Sequence, residues 1–207
     1  MKIIRNIGIF IFILIVASIA EYTVSGLKLG IVNRLSNFLF SPCPYNGHCV
    51  IEKDGVVKEG RFVDGKRHGC WVLRWADGQV EEGPYVGGKR HGPWVLRFAS
   101  GGVQEGPFVN GEMHGDWVLR SANGDVEEGP FVSDKKHGDW VLRSANGGVA
   151  EGPFVDGKEH GHWILRNAGR VAEGPVVKGK RYGPWVFQFP DGTVLHMTFR
   201  NGEIVDE

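Results

Sequence analysis

Hydrophobic and polar side chains alternate along short stretches of this chain, and nearly the same stretch returns at regular intervals. In residues 94–98, Trp-Val-Leu-Arg-Phe, the aromatic residues and leucine fall on one side of an extended chain, and valine and arginine on the other. Intervals of 23 residues four times, and then 22, separate Trp71, Trp94, Trp117, Trp140, Trp163 and Trp185. This period predicts an array of stacked supersecondary units, with the six tryptophans as its repeated core.

Two turn signals divide each unit into a pair of strands. Asp77-Gly78 and Asn123-Gly124 belong to the first signal, and Asp64-Gly65 and Asn110-Gly111 belong to the second. Such dipeptides supply the positive φ angles of the type I′ turns that join antiparallel strands. With 32 glycines in the chain, the pattern predicts an all-β fold, namely an elongated, open antiparallel meander of tandem β-hairpins over residues 46–207.

The two strands of a unit differ in length. Gln79–Val86 has eight residues between turns, whereas Lys89–Ala99 has eleven. The longer strand must therefore bulge, and we expect the bulge around Gly92, because glycine permits unusual backbone angles. Pro84 and its equivalents cannot donate a ladder hydrogen bond. Either the shorter strands begin after the proline, or its nitrogen faces the gap that the bulge opens.

The first 20 residues have the order of a secretory signal. Lys2 and Arg5 precede an apolar stretch, Ile7–Ile19, and a small residue, Ala20, ends it. A spanning helix needs roughly 20 apolar residues, more than this stretch contains. Residues 1–20 are thus predicted to be a signal peptide or a short N-terminal anchor. The protein is expected to be exported, either periplasmic or extracellular, or tethered to the membrane through its N-terminus.

Residues 21–45 are predicted to be a linker that contains a short helix. Apolar residues recur there at helical spacing: Val24, Leu27, Ile31, Leu35 and Phe38. Two interpretations are open, a helix that caps the first repeat and an amphipathic helix on a membrane surface.

The string Glu-Gly-Pro-Tyr-Val-Gly-Gly-Lys-Arg-His-Gly-Pro-Trp-Val-Leu-Arg at residues 82–97 returns closely at residues 151–166. It resembles the MORN repeat, in the variant form common in bacteria, and the resemblance covers six consecutive copies. It implies an open β-meander used for protein contacts, for homodimerisation or for attachment to membranes. Proline and glutamate flank a glycine where the family often has an aromatic residue, which departs from the pattern.

Charge and chemistry narrow the function further. Lys and Arg number 24, as do Asp and Glu, so the basic excess typical of nucleic-acid partners is missing. Every conspicuous polar residue is repeated, whereas catalysis needs one asymmetric cluster. We therefore predict no enzyme activity and no cofactor. Equivalent histidines would lie about 9.6 Å apart, too far to share a metal ion, so no metal site is expected either.

A row of arginines is the candidate contact ladder: Arg74, Arg97, Arg120, Arg143 and Arg166. Two-residue turns would place Arg120 opposite Glu127 and Arg74 opposite Glu81, as cross-strand charge pairs. Arg97 and Arg143 would then face uncharged residues and remain less compensated. Such arginines could meet lipid phosphates or acidic patches on a protein.

The three cysteines suggest one disulfide. In an exported protein, Cys43 and Cys49 could close a short loop before the first hairpin. Cys70 would lie two strands from Cys49, about 9.6 Å away and beyond disulfide reach, so it is expected to be free.

The sequence as a whole predicts a non-catalytic repeat scaffold for protein–protein contacts outside the cytoplasm or at the membrane. The first alternative is a membrane-surface module that binds anionic lipid. The second is a self-assembling homo-oligomer, such as a homodimer, that pairs through exposed end strands, with residues 194–199 as the C-terminal edge.

Overall fold

The computed structural model describes residues 46–205, and all strands in this range form one antiparallel sheet. The predicted signal or anchor, the predicted linker helix and Cys43 lie outside the described residues. Residues 46–205 contain no helix with the length and apolarity to span a bilayer.

The 20 strands follow one another along the chain. Their bounds are β1 Gly47–Lys53, β2 Val56–Val63, β3 Lys66–Arg74, β4 Val80–Val86, β5 Lys89–Arg90, β6 Gly92–Arg97, β7 Val103–Val109, β8 Glu112–Met113, β9 Gly115–Arg120, β10 Val126–Val132, β11 Lys135–Lys136, β12 Gly138–Arg143, β13 Val149–Val155, β14 Lys158–Glu159, β15 Gly161–Asn167, β16 Arg170–Val177, β17 Lys180–Arg181, β18 Gly183–Gln188, β19 Val194–Arg200 and β20 Glu203–Ile204.

Each strand pairs with strands one or two places away along the chain, which makes the sheet an open meander of repeated hairpins and confirms the predicted fold class. In one unit, β4 pairs with β3 on one side. On its other side β4 pairs first with β6 and then with the two-residue strand β5. The same three-strand pattern recurs around β7, β10, β13 and β16.

The longer strand of each unit bulges where the sequence predicts it. In the first unit, Gly60 lies opposite Trp71 but Arg61 lies opposite His68, so Gly69 and Cys70 are extra residues. Gly69 adopts a φ of 69°, which an L side chain rarely adopts. In later units the bulge is wide enough to split the strand into two, as in β5 and β6.

The prolines lie inside the shorter strands and face this gap. Strand β4 begins at Val80, before Pro84, so the interpretation in which strands begin after the proline is wrong. The Pro84 carbonyl accepts hydrogen bonds from the His91 backbone N–H at 3.0 Å and from the Trp94 indole N–H at 2.9 Å. Because N and C=O of one strand residue point to the same side, the ring nitrogen also faces the gap.

The two turn signals form different turns. At Asp64-Gly65 both residues have positive φ, 51° and 68°, as a type I′ turn requires. At Asp77-Gly78 only the glycine does, with φ of 94°. There the Gly78 N–H donates to the Trp75 carbonyl at 3.0 Å, and the Trp75 N–H donates to the Gln79 carbonyl at 2.9 Å. This is a type I turn with a glycine bulge. The prediction of type I′ geometry is therefore wrong at Asp77-Gly78 and its later equivalents, although Asp54-Gly55 confirms it with φ angles of 52° and 76°.

The shorter last interval has a local cause. Arg143 pairs with Val149 across five loop residues, whereas Asn167 pairs with Arg170 across two, Ala168 and Gly169. Ala168 adopts a φ of 47° to make this tight turn, which the sequence patterns did not reveal.

The aromatic face of the sheet is its core. All six repeated tryptophans are almost fully buried. Each indole ring covers the glycine of the preceding shorter strand; a Cβ on Gly129, for example, would lie 2.4 Å from Trp140 Cδ2. Edge-to-face contacts with centroid separations of 5.1–6.0 Å join Phe62, Trp71, Tyr85, Trp94, Phe108, Trp117, Phe131, Trp140, Phe154 and Trp163. A single-layer sheet thus buries its aromatic residues against one another and against backbone.

Both ends of the array depart from the repeat. Cys49 lies opposite Gly60 as Trp71 lies opposite Gly83, so a buried, disulfide-bonded cysteine takes the first tryptophan position. In the last strand, Met197 lies opposite Trp185 where other strands have glycine, and it packs against the core. Met197 therefore occupies space that the ring of a further repeat would need.

Candidate functional site

The arginine ladder lies on the face opposite the tryptophans, but its partners differ from those predicted. Arg120 lies opposite Val126, and Glu127 lies opposite Leu119 on the aromatic face. The five-residue loop moves the register by one position from that of a two-residue turn, which places Glu127 on the other face. Arg74 lies likewise opposite Val80 rather than Glu81.

Every arginine of the ladder has a glutamate partner on the preceding shorter strand, such as β4 for Arg97 in β6. The ion pairs are Arg74–Glu59 at 3.9 Å, Arg97–Glu82, Arg120–Glu105 at 2.9 Å, Arg143–Glu128 at 2.9 Å and Arg166–Glu151 at 2.8 Å. The expectation that Arg97 and Arg143 are less compensated is therefore wrong. These charges neutralise one another along the face.

Breaking one of these pairs should cost little stability. The Arg143 and Glu128 side chains are 48% and 43% exposed, and water screens such pairs to about 0–1 kcal/mol. We expect Arg143→Gln to lower the free energy of unfolding by about 0.5 kcal/mol or less in urea titrations. Lys136→Gln is the contrasting variant, since Lys136 is less exposed and lies 4.3 Å above the Trp140 ring. A larger loss for Arg143→Gln than for Lys136→Gln would contradict this account.

On the aromatic face, cations lie over the tryptophan rings. Arg90 is 4.7 Å from the Trp94 centroid, and Lys136 is 4.3 Å from that of Trp140. Each cation also forms an ion pair across its ring, Arg90 with the buried Glu81 and Lys136 with Glu127. These ion pairs cover the Trp94 and Trp140 rings, and the cation–π attraction further stabilises each arrangement.

The repeat changes in its later copies, and a groove results. Alanines, Ala150 and Ala172, replace Glu81 and Glu127 at the equivalent positions. Ser144, like Ser121 before it, stands where the first copies have an aromatic residue packed against the core, Trp75 or Phe98. A groove of about 500 Å³ opens here, lined chiefly by Leu142, Ala150, Leu165, Ala172, Phe187 and Phe189, with Arg166 and Arg170 as its charged residues.

Glu159 lies on the same face, in the short strand β14 that pairs with the strand contributing Ala150 to the groove. It pairs with Phe154 across the hairpin, at the position that Arg90 and Lys136 hold in their repeats. Burial raises the pKa of the Glu159 carboxyl, and the nearby Lys136 ammonium partly opposes that shift. The position that holds a cation over a tryptophan ring in three earlier repeats, Arg67, Arg90 and Lys136, thus holds an acid in the repeat that contributes Ala150 to the groove.

A second surface lies on the opposite face. Five valines at the ends of the shorter strands are 39–50% exposed: Val86, Val109, Val132, Val155 and Val177. Their cross-strand partners are mostly lysines: Lys89, Lys135, Lys158 and Lys180, with Glu112 as the exception. Among the residues that the structure describes, these lysines form no ion pairs. The exposed valines therefore form an apolar stripe, bordered by lysines, that crosses the successive strands near their ends.

The histidines of the repeated row donate backbone hydrogen bonds across the bulge. The N–H groups of His91, His114, His137 and His160 donate to proline carbonyls at 2.9–3.0 Å. Within residues 46–205, no three His, Cys, Asp or Glu side chains are grouped so as to hold a metal ion. Cys49 is disulfide-bonded, and Cys70 is an exposed free thiol; the predicted partner, Cys43, lies outside the described residues.

The groove is the feature that sequence reasoning missed. The predicted fold depends on the residues that the copies share, whereas the groove forms where the copies differ. Aligning the copies would have exposed the signal, since Glu81, Gln104, Glu127, Ala150 and Ala172 form a column that turns from polar to apolar.

Comparisons with known proteins give no family for the chain. No protein-family model matches it, and no curated protein does. Among solved structures, it is similar to the TCP domain of Drosophila melanogaster SAS-4 (dCPAP) in complex with a proline-rich motif of Ana2 (dSTIL), with 15% identity, 77% of this chain and 97% of that chain covered, and a TM-score of 0.43. A streptogramin B lyase structure shares 10% identity over 77% of this chain and 71% of that chain, with a TM-score of 0.19. Likenesses this weak establish neither a family nor a function.

Proposed function

We propose that this chain is a non-catalytic scaffold of MORN-type repeats, which holds protein partners outside the cytoplasm or at the membrane. The observation that carries the proposal is the open aromatic face. Salt bridges cover the tryptophan rings in two of the earlier repeats, and an apolar groove opens in the later repeats, where the glutamates are replaced by alanines. Exposed apolar surface of this kind is typical of contact sites. The surface is built from repeated, mutually paired charges and rings, which suits contact better than catalysis.

Photo-crosslinking of the full chain tests this role. We would place p-benzoylphenylalanine at Phe98 or Phe189 on the aromatic face, and at Val109 on the opposite face as the matched control. In extracts of the native host with membranes retained, we expect a discrete protein adduct from the aromatic face and none from Val109. The absence of a protein adduct at all three positions would overturn the proposal.

The exposed valine stripe with its lysine margin favours a second candidate, binding to an anionic membrane surface. The arginine ladder supports this candidate less, because each arginine already has a glutamate partner. Sedimentation with phosphatidylglycerol vesicles separates the two candidates. Binding that high salt removes, and that Lys135→Glu with Lys158→Glu abolishes, would favour the lipid surface.

Self-assembly by continued stacking is less well supported at the C-terminal end. Each tryptophan ring packs over a glycine of the preceding strand, as Trp185 does over Gly174. Strand β19 offers Met197 at that position instead. A second copy could not dock a tryptophan there without displacing the methionine.

A further inference from the structure

Two repeats contain a carboxylate that the sixth repeat lacks. Glu81 pairs with Arg90, and Glu127 pairs with Lys136, in each case across a tryptophan ring. The sixth repeat keeps the cation, Arg181, but has Ala172 where the carboxylate would be. The repeat thus presents a cation without the anion that pairs with Arg90 and Lys136. The first repeat also lacks this anion, but its Arg67 donates instead to the Tyr85 hydroxyl at 3.1 Å.

Arg181 is held over aromatic rings. Its guanidinium carbon lies 4.6 Å from the Trp185 centroid, 5.4 Å from that of Phe199 and 5.6 Å from that of Phe187. It forms no ion pair or side-chain hydrogen bond with any residue from 46 to 205. The guanidinium therefore has no anionic partner within the described part of the chain, and its N–H donors are suited to a carboxylate.

The space beside Arg181 is apolar and open. Ala172, where the missing carboxylate would begin, lines the groove together with Leu165 and Phe187. No Asp or Glu lines the groove, and of its two arginines Arg166 pairs with Glu151, whereas Arg170 forms no ion pair with residues 46–205. A ligand that enters it therefore meets apolar side chains and positive charge.

We propose that the groove binds a peptide segment in which an apolar side chain lies near a carboxylate. The carboxylate would sit above Ala172 and pair with Arg181, as Glu81 and Glu127 pair with their cations within the chain. The apolar side chain would cover Ala150 and Leu165. This inference rests on the proposed role in protein contact and specifies where and how that contact is made.

Glu159 determines at which end of the groove the peptide carboxylate binds. Its equivalents Arg90 and Lys136 pair with the residues at the Ala150 position of their repeats, so Glu159 is assigned to the Ala150 end of the groove and Arg181 to the Ala172 end. The Glu159 charge disfavours a second carboxylate at its own end. Ala150 and Ala172 are two strands apart, or about 9.6 Å, which an extended peptide spans with about three residues. The acid should therefore follow or precede the apolar residue by about three positions, at the Ala172 end.

Selection from a random peptide library, displayed on phage and panned against the full chain, tests this inference. We expect enrichment of Asp or Glu about three positions from Leu, Ile or Phe. Replacing that acid by its amide in a selected, fluorescein-labelled peptide should weaken binding about tenfold in anisotropy titrations, the usual loss for a charge-assisted hydrogen bond. Arg181→Gln should reduce the affinity for the acidic peptide to that for the amide.

The matched variants are Ala172→Glu and Gln104→Glu. Ala172→Glu supplies the carboxylate within the chain, as in two other repeats, and should preserve the fold while it weakens peptide binding about tenfold. Gln104→Glu adds the same group outside the groove and should leave binding unchanged. Equal binding by both variants, or by the acidic and amide peptides, would overturn the inference, as would dodecanoate displacing the peptide. If the adduct at Phe189 persists in Ala172→Glu, only this inference fails and the scaffold role stands.

Discussion

Replacing Gly129 by alanine is expected to lower the free energy of unfolding by about 3 kcal/mol or more, although only one methyl group is added. The new Cβ would lie 2.4 Å from Cδ2 and 2.5 Å from Cγ of Trp140. Separations that short do not occur between real side chains, so either the indole or the strand must move. The ring is confined by Phe131 and Phe154, whose centroids lie 5.2 Å and 5.9 Å from it. Neither neighbour offers the ring space to move into.

Urea unfolding followed by tryptophan fluorescence measures this loss. Gly148→Ala is the matched control, because a Cβ at this position would lie nearest to Asn146 Oδ1, 3.3 Å away at the end of a flexible side chain. We expect the control to change stability by less than about 1 kcal/mol. A similar loss in both variants would show that general backbone rigidity, rather than the Trp140 ring, requires glycine at position 129.

The repeat architecture could be predicted from the sequence because a single residue type marks each structural requirement. Tryptophan supplies the ring, and glycine supplies the site that the ring covers. Asp64-Gly65 forms the type I′ turn that such a dipeptide favours, as the φ angles show. Such local rules require no knowledge of the rest of the chain, and they recur often enough to reinforce one another.

The charge pairing could not be predicted so simply, because it depends on the exact length of a loop. Asp77-Gly78 reads like a two-residue turn, but the structure closes it over five residues, from Trp75 to Gln79. The register of the two strands is thereby shifted by one residue. This shift moves Glu81 and Glu127 from the arginine face to the aromatic face. The same glutamates then cover the tryptophan rings together with Arg90 and Lys136. With the wrong turn type, neither the salt bridges on the aromatic face nor the groove that forms where they are missing can be predicted.

The groove also illustrates a general property of repeat proteins. Nearest-neighbour packing keeps the sheet stable as long as each ring has its glycine and its flanking aromatic residues. Positions beside the rings, such as Ala150 and Ala172, are then able to vary without loss of the fold. Variation at those positions is where a repeated surface acquires one distinctive site.

Trp140→Ala is expected to show the second large effect, a loss of about 4 kcal/mol. The indole is fully buried, and its N–H donates to the Pro130 carbonyl at 2.9 Å. The variant loses the ring contacts with Phe131 and Phe154, the cation–π contact with Lys136 and this hydrogen bond. Trp75→Ala is the control, since Trp75 is only partly buried and lies outside the repeated row; we expect it to cost less than half as much.

The double variant separates the two causes. If Gly129 is required only because the Trp140 ring covers it, then Gly129→Ala should cost less than about 1 kcal/mol when Trp140 is already alanine, because its methyl group then meets an empty space. The coupling between the two substitutions should therefore reach about 2 kcal/mol or more. Additive losses would mean that the glycine is needed for strand geometry alone. In that case the tryptophans would not be the reason why every shorter strand from β2 to β16 has a glycine at this position, and the packing account of the array would have to be abandoned.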